Sequence, residues 1–253
     1  MTRVAAEHGV AMTTCLAGTG LTTDDLTDPS VEIEGKLELS VLRNVLRTLG
    51  DVPFGLLAGE RYHLTTHGMW GFALLSSPTV RHVVDFSAKY FELSYSFNHF
   101  DFTIEPGQAC LSYDGKHNPE DLQSHLIERD MAAAITFGRD LLGHKIPMRS
   151  VQLRTRRPRD PKAYELVFGT QVEFDARRNS IVFAADWLDR QPTLADDFGR
   201  RVSEAYRESI LEGRDVGQGM TGDVSSFATA FKRWTGVSPR VYRHQSQPEK
   251  LVR

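Results

Sequence analysis

Two hydrophobic periods follow one another along this 253-residue chain, and their order limits the folds open to it. Apolar residues recur every three or four positions over 37–49 and again over 120–142, as on one face of an α-helix. Residues 97–104 and 109–113 instead alternate, as half-buried strands joined by a turn at 105–108 do. Because no regular strand–helix–strand rhythm is present, we expect an α+β fold rather than a doubly wound sheet.

Capping residues predict where several helices begin and end. Gly50 and Gly143 stand where the two helical patterns should stop. Ser77, Pro78 and Thr79 predict a helix start, with Ser77 as N-cap and Pro78 as the first helical residue. The apolar, glycine-containing stretch before them, 68–77, does not favour either period clearly.

Three more short apolar segments are typical of strands. Residues 148–155 predict one strand. Residues 172–174 and 181–183 flank the polar segment 175–180, which is turn-like in composition. We therefore expect these two segments to pair as a second hairpin.

Composition favours a soluble globular protein without a disulfide framework. The apolar fraction is 40%, the charged fraction 25%, and only two cysteines are present, Cys15 and Cys110. The sequence has no apolar run of the length that a membrane span needs, and its first residues lack the apolar core of a signal peptide. These features predict a cytoplasmic protein with no membrane partner.

The stretch 223–243, DVSSFATAFKRWTGVSPRVYR, has the pattern of a helix followed by a short second helix. Asp223 is a suitable N-cap, Gly236 a suitable stop, and Pro239 a suitable start for the second helix. Small polar residues early in the first helix and cations later suit insertion into a DNA major groove. The segment 213–253 carries seven Lys or Arg and three Asp or Glu, although charge alone does not distinguish a DNA contact from a solvated tail.

This stretch resembles the end of the DNA-binding domain of the AraC family of transcription regulators. In that family the corresponding residues form the second recognition helix and the final short helix. The resemblance implies promoter DNA as a partner and a helix-turn-helix as the binding element. The residues that it places at or near DNA are Ser225, Ser226, Thr229, Lys232, Arg233, Arg240 and Arg243.

The preceding part of the chain resembles the N-terminal domain of one AraC branch, which is named for arabinose binding although its effectors are diverse. The segments that carry this resemblance are GFALLSSPTV at 71–80, YELVFGTQVEF at 164–174 and FDARRNSIVFAADWLDRQ at 174–191. It implies a mixed helix and antiparallel-strand domain that binds a small molecule of unknown identity. In the aromatic-rich stretch before and within the predicted hairpin, Tyr95, Phe97 and Phe100 are candidates for lining an apolar effector pocket, the alternative being ordinary core.

The domain boundaries predicted from these features are 1–192 for the effector domain, 193–212 for a connecting helix and 213–253 for an all-helical helix-turn-helix remnant. AraC-type regulators carry two helix-turn-helix units after the effector domain, whereas here the pattern passes from the connecting helix directly to the second unit. Two functions follow as hypotheses. One is an effector-controlled regulator that binds promoter DNA, and the other is an effector-binding or homodimerising module that does not read DNA.

Weaker patterns receive ordinary interpretations. Arg154, Arg156, Arg157, Arg159 and Lys162 form a basic run that fits a solvated loop better than a site for an anionic effector. His63 and His67 stand four apart, but no further ligand pattern completes a metal site. With no phosphate-binding loop, dinucleotide fingerprint or nucleophile motif, we expect neither a cofactor nor an enzymatic activity.

Overall fold

The computed structural model describes residues 1–28, 31, 33–91, 94, 96–193 and 195. The helices in this part of the chain are α1 (Thr2–Glu7), α2 (Met12–Leu16), α3 (Gly35–Leu49), α4 (Phe54–Gly59), α5 (Gly68–Leu75), α6 (Val80–Tyr90), α7 (Gln123–Leu142) and α8 (Lys162–Phe168). The strands are β1 (His99–Glu105), β2 (Gln108–Asp114), β3 (Met148–Gln152), β4 (Val172–Glu173) and β5 (Asn179–Ala184). Short 3-10 turns span Leu64–Thr66 and Ala185–Asp189. This is the α+β fold that the two periods predict.

The predicted first hairpin is confirmed. Strands β1 and β2 pair antiparallel, with Phe100 opposite Tyr113 and Glu105 opposite Gln108. Only Pro106 and Gly107 separate the two strands at the turn, and Gly107 has a φ of 77°, which a glycine adopts without strain.

The predicted second hairpin is wrong. The strands form one sheet in the order β1-β2-β5-β3-β4, so β3 lies between the two segments that were expected to pair. Val151 of β3 has Ile181 of β5 as its antiparallel partner and Val172 of β4 as its parallel partner. The polar segment after β4 passes around the end of β3, where the backbone N–H groups of Asp175 and Ala176 donate to Thr155 and Leu153. Val151 lies between Val172 and Ile181 in the sheet, and all three side chains are buried.

Helix ends agree with the glycine signals but not with the predicted N-cap. Helix α3 stops at Gly50 and α7 at Gly143, which adopts the left-handed conformation. Helix α6 begins two residues later than predicted, because Thr79 is the N-cap and accepts a hydrogen bond from the His82 backbone. The Ser77 hydroxyl is instead buried and donates to the Ala73 carbonyl.

Two hydrophobic clusters share helix α7. The larger lies between the inner face of the sheet and helices α5 to α8, and the smaller lies among α1 to α4 and the start of α7. Helix α4 approaches α7 so closely that a Cβ atom on Gly59 would lie 2.2 Å from the Arg129 carbonyl oxygen. Among the described helices, none is both long and apolar enough to cross a membrane.

Candidate functional site

A small cavity lies between α7, the start of α5 and strand β2. Its volume is about 40 Å³, which is room for roughly three water molecules. Its rings come from Tyr62, His67, Trp70, Phe91, Tyr113 and Phe137. Ser94, Ser96 and Asp130 are its polar residues. Sites for drug-sized ligands usually measure about 300–1,000 Å³, so a metabolite can enter this cavity only if its walls move apart.

Helical spacing places the cavity residues together. Asp130, Ala133 and Phe137 stand at positions i, i+3 and i+7 of α7 and therefore project from one face of the helix. His67 and Trp70 stand three apart where α5 begins. Asp130 is a carboxylate on a helix face that is otherwise apolar along this wall.

The aromatic wall contains two buried, nitrogen-bearing rings. His67 packs 5.2 Å from Phe137, edge to face, and 5.4 Å from Trp70, measured between ring centroids. Burial lowers the pKa of His67 to about 4, so its ring is neutral at pH 7. Trp70 is 2% exposed, and its indole nitrogen has no hydrogen-bond acceptor within the described part of the chain. A buried donor of this kind normally has a partner, which a ligand oxygen would supply.

Asp130 holds the polar side of the cavity in place. Its Oδ2 accepts hydrogen bonds from the Ser96 hydroxyl and from the Asn98 amide at 2.7 Å. Its Oδ1 accepts from Nε of Arg129 at 2.9 Å. Asn98 also donates to the Leu126 carbonyl at 3.0 Å. These bonds fasten the segment before β1 to α7, so displacing either changes the shape of the cavity.

Arg129 connects the cavity to the helices of the smaller cluster. Its side chain is 3% exposed and pairs with Asp130 and, at 2.9 Å, with Glu38 of α3. Its guanidinium lies 5.5 Å from the ring centre of Tyr62 and 5.6 Å from that of Phe97, within the range of cation–π attraction. The Arg129–Glu38 pair thus joins α7, which carries part of the cavity wall, to α3.

A second buried acid lies one residue before Arg129. Glu128 is 2% exposed and accepts a hydrogen bond from the Tyr164 hydroxyl at 3.1 Å. Burial raises the pKa of Glu128 to about 7, although the hydrogen bond from Tyr164 opposes the rise. The hydrogen bond between Glu128 and Tyr164 joins α7 to α8, on the face of α7 opposite to Asp130, Ala133 and Phe137.

The three predicted effector residues occupy different places. Phe100 is 9% exposed and does not line the cavity, but its ring lies 5.0 Å from that of Phe91 and 6.0 Å from that of Tyr113, which do. Phe97 packs against the smaller cluster and Arg129. Tyr95 lies outside the described residues. Of the aromatic-rich stretch, Phe91 lines the cavity.

The other features predicted from the sequence are the C-terminal DNA-binding residues and the pair His63 and His67. The predicted connecting helix lies outside the described residues, apart from residues 193 and 195. So do the residues predicted to contact DNA: Ser225, Ser226, Thr229, Lys232, Arg233, Arg240 and Arg243. His63 does not share a site with His67, because its Nδ1 lies 3.0 Å from an oxygen of Asp140. Within the described residues, no group of three or more His, Cys, Asp or Glu side chains is arranged to hold a metal ion.

Sequence reasoning missed the residues that build the cavity: His67, Trp70, Asp130 and Phe137. A usable signal was present on α7, where Asp130 stands between the apolar residues Leu126 and Ala133 on the face that also carries Phe137. A charged residue at such a position is rarely buried without a partner. The partners, Ser96, Asn98 and Arg129, could not be named from spacing because two of them belong to another segment.

A family comparison covers most of the described residues. Residues 9–192 match the family described as the arabinose-binding domain of AraC transcription regulators. A solved structure, the transcriptional regulator CdpR from Pseudomonas aeruginosa, is similar in fold with a TM-score of 0.53 and 19% sequence identity. The similarity covers 89% of this chain and 79% of that one.

Curated relatives are longer than this chain. Uncharacterized HTH-type transcriptional regulators of Mycobacterium bovis and Mycobacterium tuberculosis are each 30% identical to it over 230 residues, 88% of this chain and 66% of theirs. The ornithine utilization regulator of Pseudomonas aeruginosa is 24% identical over 171 residues, 68% of this chain and 50% of its own length. The chain therefore spans just under two thirds of the mycobacterial relatives and half of the Pseudomonas one.

Proposed function

Because the chain belongs to the AraC family of transcription regulators, through an arabinose-binding-type domain at residues 9–192, we propose that it regulates transcription in response to a small molecule. The effector binds in the cavity between α5, α7 and β2. Promoter DNA binds to the C-terminal region that contains the 223–243 motif. The observation that carries the proposal is a buried, aromatic cavity with an unsatisfied indole donor in a domain of this family.

The cavity chemistry favours an effector with an apolar body and a hydrogen-bond acceptor. Aromatic rings supply most of the wall, and burying an apolar group against them is favourable by roughly 25 cal/mol per Å². The indole N–H of Trp70 requires an acceptor such as a carbonyl or carboxylate oxygen. Small keto acids, amino acids and short carboxylic acids combine these features.

Effector binding in the cavity would also affect helices that do not line the cavity. An effector that widens the cavity shifts the population of α7 positions towards those that accommodate it. Arg129 and Glu38 join α7 to α3, so the shift reaches the helices of the smaller cluster. Regulation requires only that the two positions of α7 differ in their affinity for the effector.

Replacing Trp70 by Phe is expected to weaken effector binding about tenfold, because one buried hydrogen bond is worth roughly 1–1.5 kcal/mol. The measurement is a thermal-shift titration of the full chain with amino acids, keto acids and short carboxylic acids. A compound at about 100 times its Kd stabilises the folded protein by about 2.7 kcal/mol, which corresponds to a shift of several degrees.

Trp187→Phe is the matched control. Trp187 lies outside the cavity wall, with its ring 5.4 Å from that of His144, so this variant should respond to the same compound as the wild type. Equal responses of the two variants would show that Trp70 does not contact the effector. No response of the wild type to any compound would count against an effector of this class.

DNA binding is expected to be specific and to depend on Lys232 and Arg233. Fluorescence anisotropy with labelled DNA from upstream of the gene, compared with a scrambled duplex, measures it over about 50–200 mM salt. The slope of log affinity against log salt falls by about 0.9 for each phosphate group that the protein no longer neutralises. Lys232→Ala with Arg233→Ala should therefore reduce the slope by about 2 and weaken binding.

Lys36→Ala with Arg47→Ala removes two exposed cations of α3 and serves as the control, with an expected slope equal to that of the wild type. Weak, sequence-blind binding by the wild type, or none, would contradict the DNA-binding proposal. That outcome would support the second candidate, an effector-binding or dimerising module. The sequence pattern motivates this second candidate, because the segment resembling the second helix-turn-helix unit follows the predicted connecting helix directly, without a segment resembling the first unit.

A further inference from the structure

A basic surface lies at the end of the sheet, opposite in charge to the chain as a whole, which has a formal net charge of -3. It combines the loop after β3 with the turn between β4 and β5. Its cations are Arg154, Arg156, Arg157, Arg159, Lys162, Arg177 and Arg178, and all seven residues are exposed. The first five form the basic run that is visible in the sequence, and the fold brings Arg177 and Arg178 next to that run. We call these seven residues the basic surface.

The loop and the turn are held together by main-chain hydrogen bonds. The Asp175 backbone N–H donates to the Thr155 carbonyl, and that of Ala176 donates to the Leu153 carbonyl, both at 3.0 Å. The Arg154 backbone N–H donates to the side chain of Asn179 at 2.9 Å. The surface is therefore a fixed part of the sheet edge, and its side chains start from a defined backbone.

The carboxylates within these segments accept hydrogen bonds from main-chain or amide groups, and not from the seven cationic side chains. Asp175 accepts from the backbone N–H of Arg157, Asp160 accepts from that of Lys162, and Glu173 accepts from the Gln152 amide. Across the described part of the chain, none of the seven cations forms an ion pair with a carboxylate. Seven positive charges thus stand beside three carboxylates that do not pair with them.

We propose that the basic surface binds the phosphate backbone of DNA. Six of the seven cations are arginines, whose planar guanidinium groups donate two parallel hydrogen bonds to a phosphate. Because all seven residues are exposed, they form no low-dielectric pocket in which a single small anion would be held tightly. A polyanion gains affinity from many such contacts through counterion release. The effector domain then contributes sequence-independent affinity.

This inference rests on the proposed function, since it assumes that the chain acts on DNA. The test is fluorescence anisotropy of the full chain with a labelled upstream duplex and a scrambled duplex, over about 50–200 mM salt. The variant is Arg156→Gln with Arg159→Gln and Arg177→Gln. The control, with the same change in charge, is Arg3→Gln with Arg47→Gln and Lys116→Gln, three exposed cations outside the basic surface. Circular dichroism confirms that both variants fold.

The basic-surface variant should bind both duplexes more weakly by the same factor. Its slope of log affinity against log salt should fall by about 2 to 3, at about 0.9 for each phosphate group that is no longer neutralised. The control should match the wild type. If the two variants behave alike, the basic surface does not bind DNA, even where the wild type discriminates the upstream duplex and the proposed function stands.

The reverse outcome is equally distinct. In this outcome the wild type binds both duplexes equally, and the basic-surface variant binds both more weakly than the wild type. Sequence-specific DNA binding is then contradicted, whereas DNA binding by the basic surface is confirmed. Competition identifies the occupant. Displacement of the duplex by inorganic phosphate at constant ionic strength would overturn the proposal in favour of a small-anion site. Displacement by poly-glutamate more effectively than by unlabelled duplex at equal charge concentration would overturn it in favour of an acidic protein partner, whereas weaker displacement by poly-glutamate is expected, because any polyanion competes for an electrostatic surface.

Discussion

The Asp130→Ala variant is expected to lose about 3–5 kcal/mol of its free energy of unfolding, because it removes one partner of a buried ion pair. Arg129 is 3% exposed and Asp130 is 8% exposed, so solvent does not replace Asp130 as a partner of Arg129, and the ion pair with Glu38 has to hold the buried charge. Ser96 and Asn98 lose their acceptor at the same time. Since a domain of this kind is stable by about 5–15 kcal/mol, the loss is a large share of the total.

Urea unfolding at pH 7, followed by circular dichroism, measures the change. Asp121→Ala is the matched control, because Asp121 also accepts from an arginine, Arg43, at 2.7 Å but on the surface. An exposed pair contributes about 0–1 kcal/mol. Equal losses in the two variants would contradict the burial of the Arg129–Asp130 pair.

A double replacement separates the charge effect from packing. Arg129→Met with Asp130→Ala removes the buried cation that Asp130→Ala alone leaves with one carboxylate partner fewer, so the double variant should be less destabilised than Asp130→Ala. Glu38 is 29% exposed at its side chain and can be solvated once its partner is gone. If the double variant is less stable than Asp130→Ala, the packing contacts of the Arg129 side chain contribute more to the free energy of unfolding than relief of the buried charge does.

The Gly59→Ala variant is expected to lose about 3 kcal/mol, the upper end of the range for overpacking. An added Cβ would lie 2.2 Å from the Arg129 carbonyl oxygen, 2.7 Å from the Ala132 Cβ and 3.0 Å from the Ala133 nitrogen. These atoms belong to the backbone of α7 or are attached directly to it, so no side-chain rotation can relieve the contact. The two helices must separate, and α7 carries the cavity wall with it.

Gly138→Ala, on α7 itself, is the control for Gly59→Ala. Its added Cβ would meet the end of the Ile146 side chain at 3.2 Å, and that end can rotate away. Alanine is favoured over glycine within a helix by about 1 kcal/mol, so this variant should be neutral or slightly stabilised. Thermal and urea unfolding report both changes. A Gly59→Ala variant as stable as Gly138→Ala would show that α4 and α7 are not in backbone contact.

Local patterns predicted local structure well. The helical spacing of α3 and α7, their glycine stops and the β1–β2 hairpin all depend on residues a few positions apart or on one tight turn. The N-cap of α6 was placed two residues early because Ser77 and Thr79 are both good caps, and burial of Ser77 against Ala73 decided between them. Sequence motifs also identified the family, which the comparison over 9–192 supports.

The candidate site could not be predicted in the same way. An aromatic-rich stretch suggested Tyr95, Phe97 and Phe100, of which Tyr95 lies outside the described residues and the other two do not line the cavity. The cavity is lined by Trp70, Phe137 and other residues from separate segments. Whether an aromatic ring faces a cavity or lies behind its wall depends on neighbours far along the chain. Phe100 shows this, since it contacts Phe91 and Tyr113, which line the cavity, but does not line it itself.

The sequence by itself determined the α+β class, the positions of the long helices and the first hairpin, and the resemblance to AraC-type regulators. Only the tertiary structure decided that β3 lies between β4 and β5, that Asp130 is buried with Arg129, and that Arg177 joins the basic run. The physical reason is the range of the interactions. Periodicity and capping are satisfied within a few residues, whereas strand order, charge burial and helix contact depend on which distant segments exclude water together.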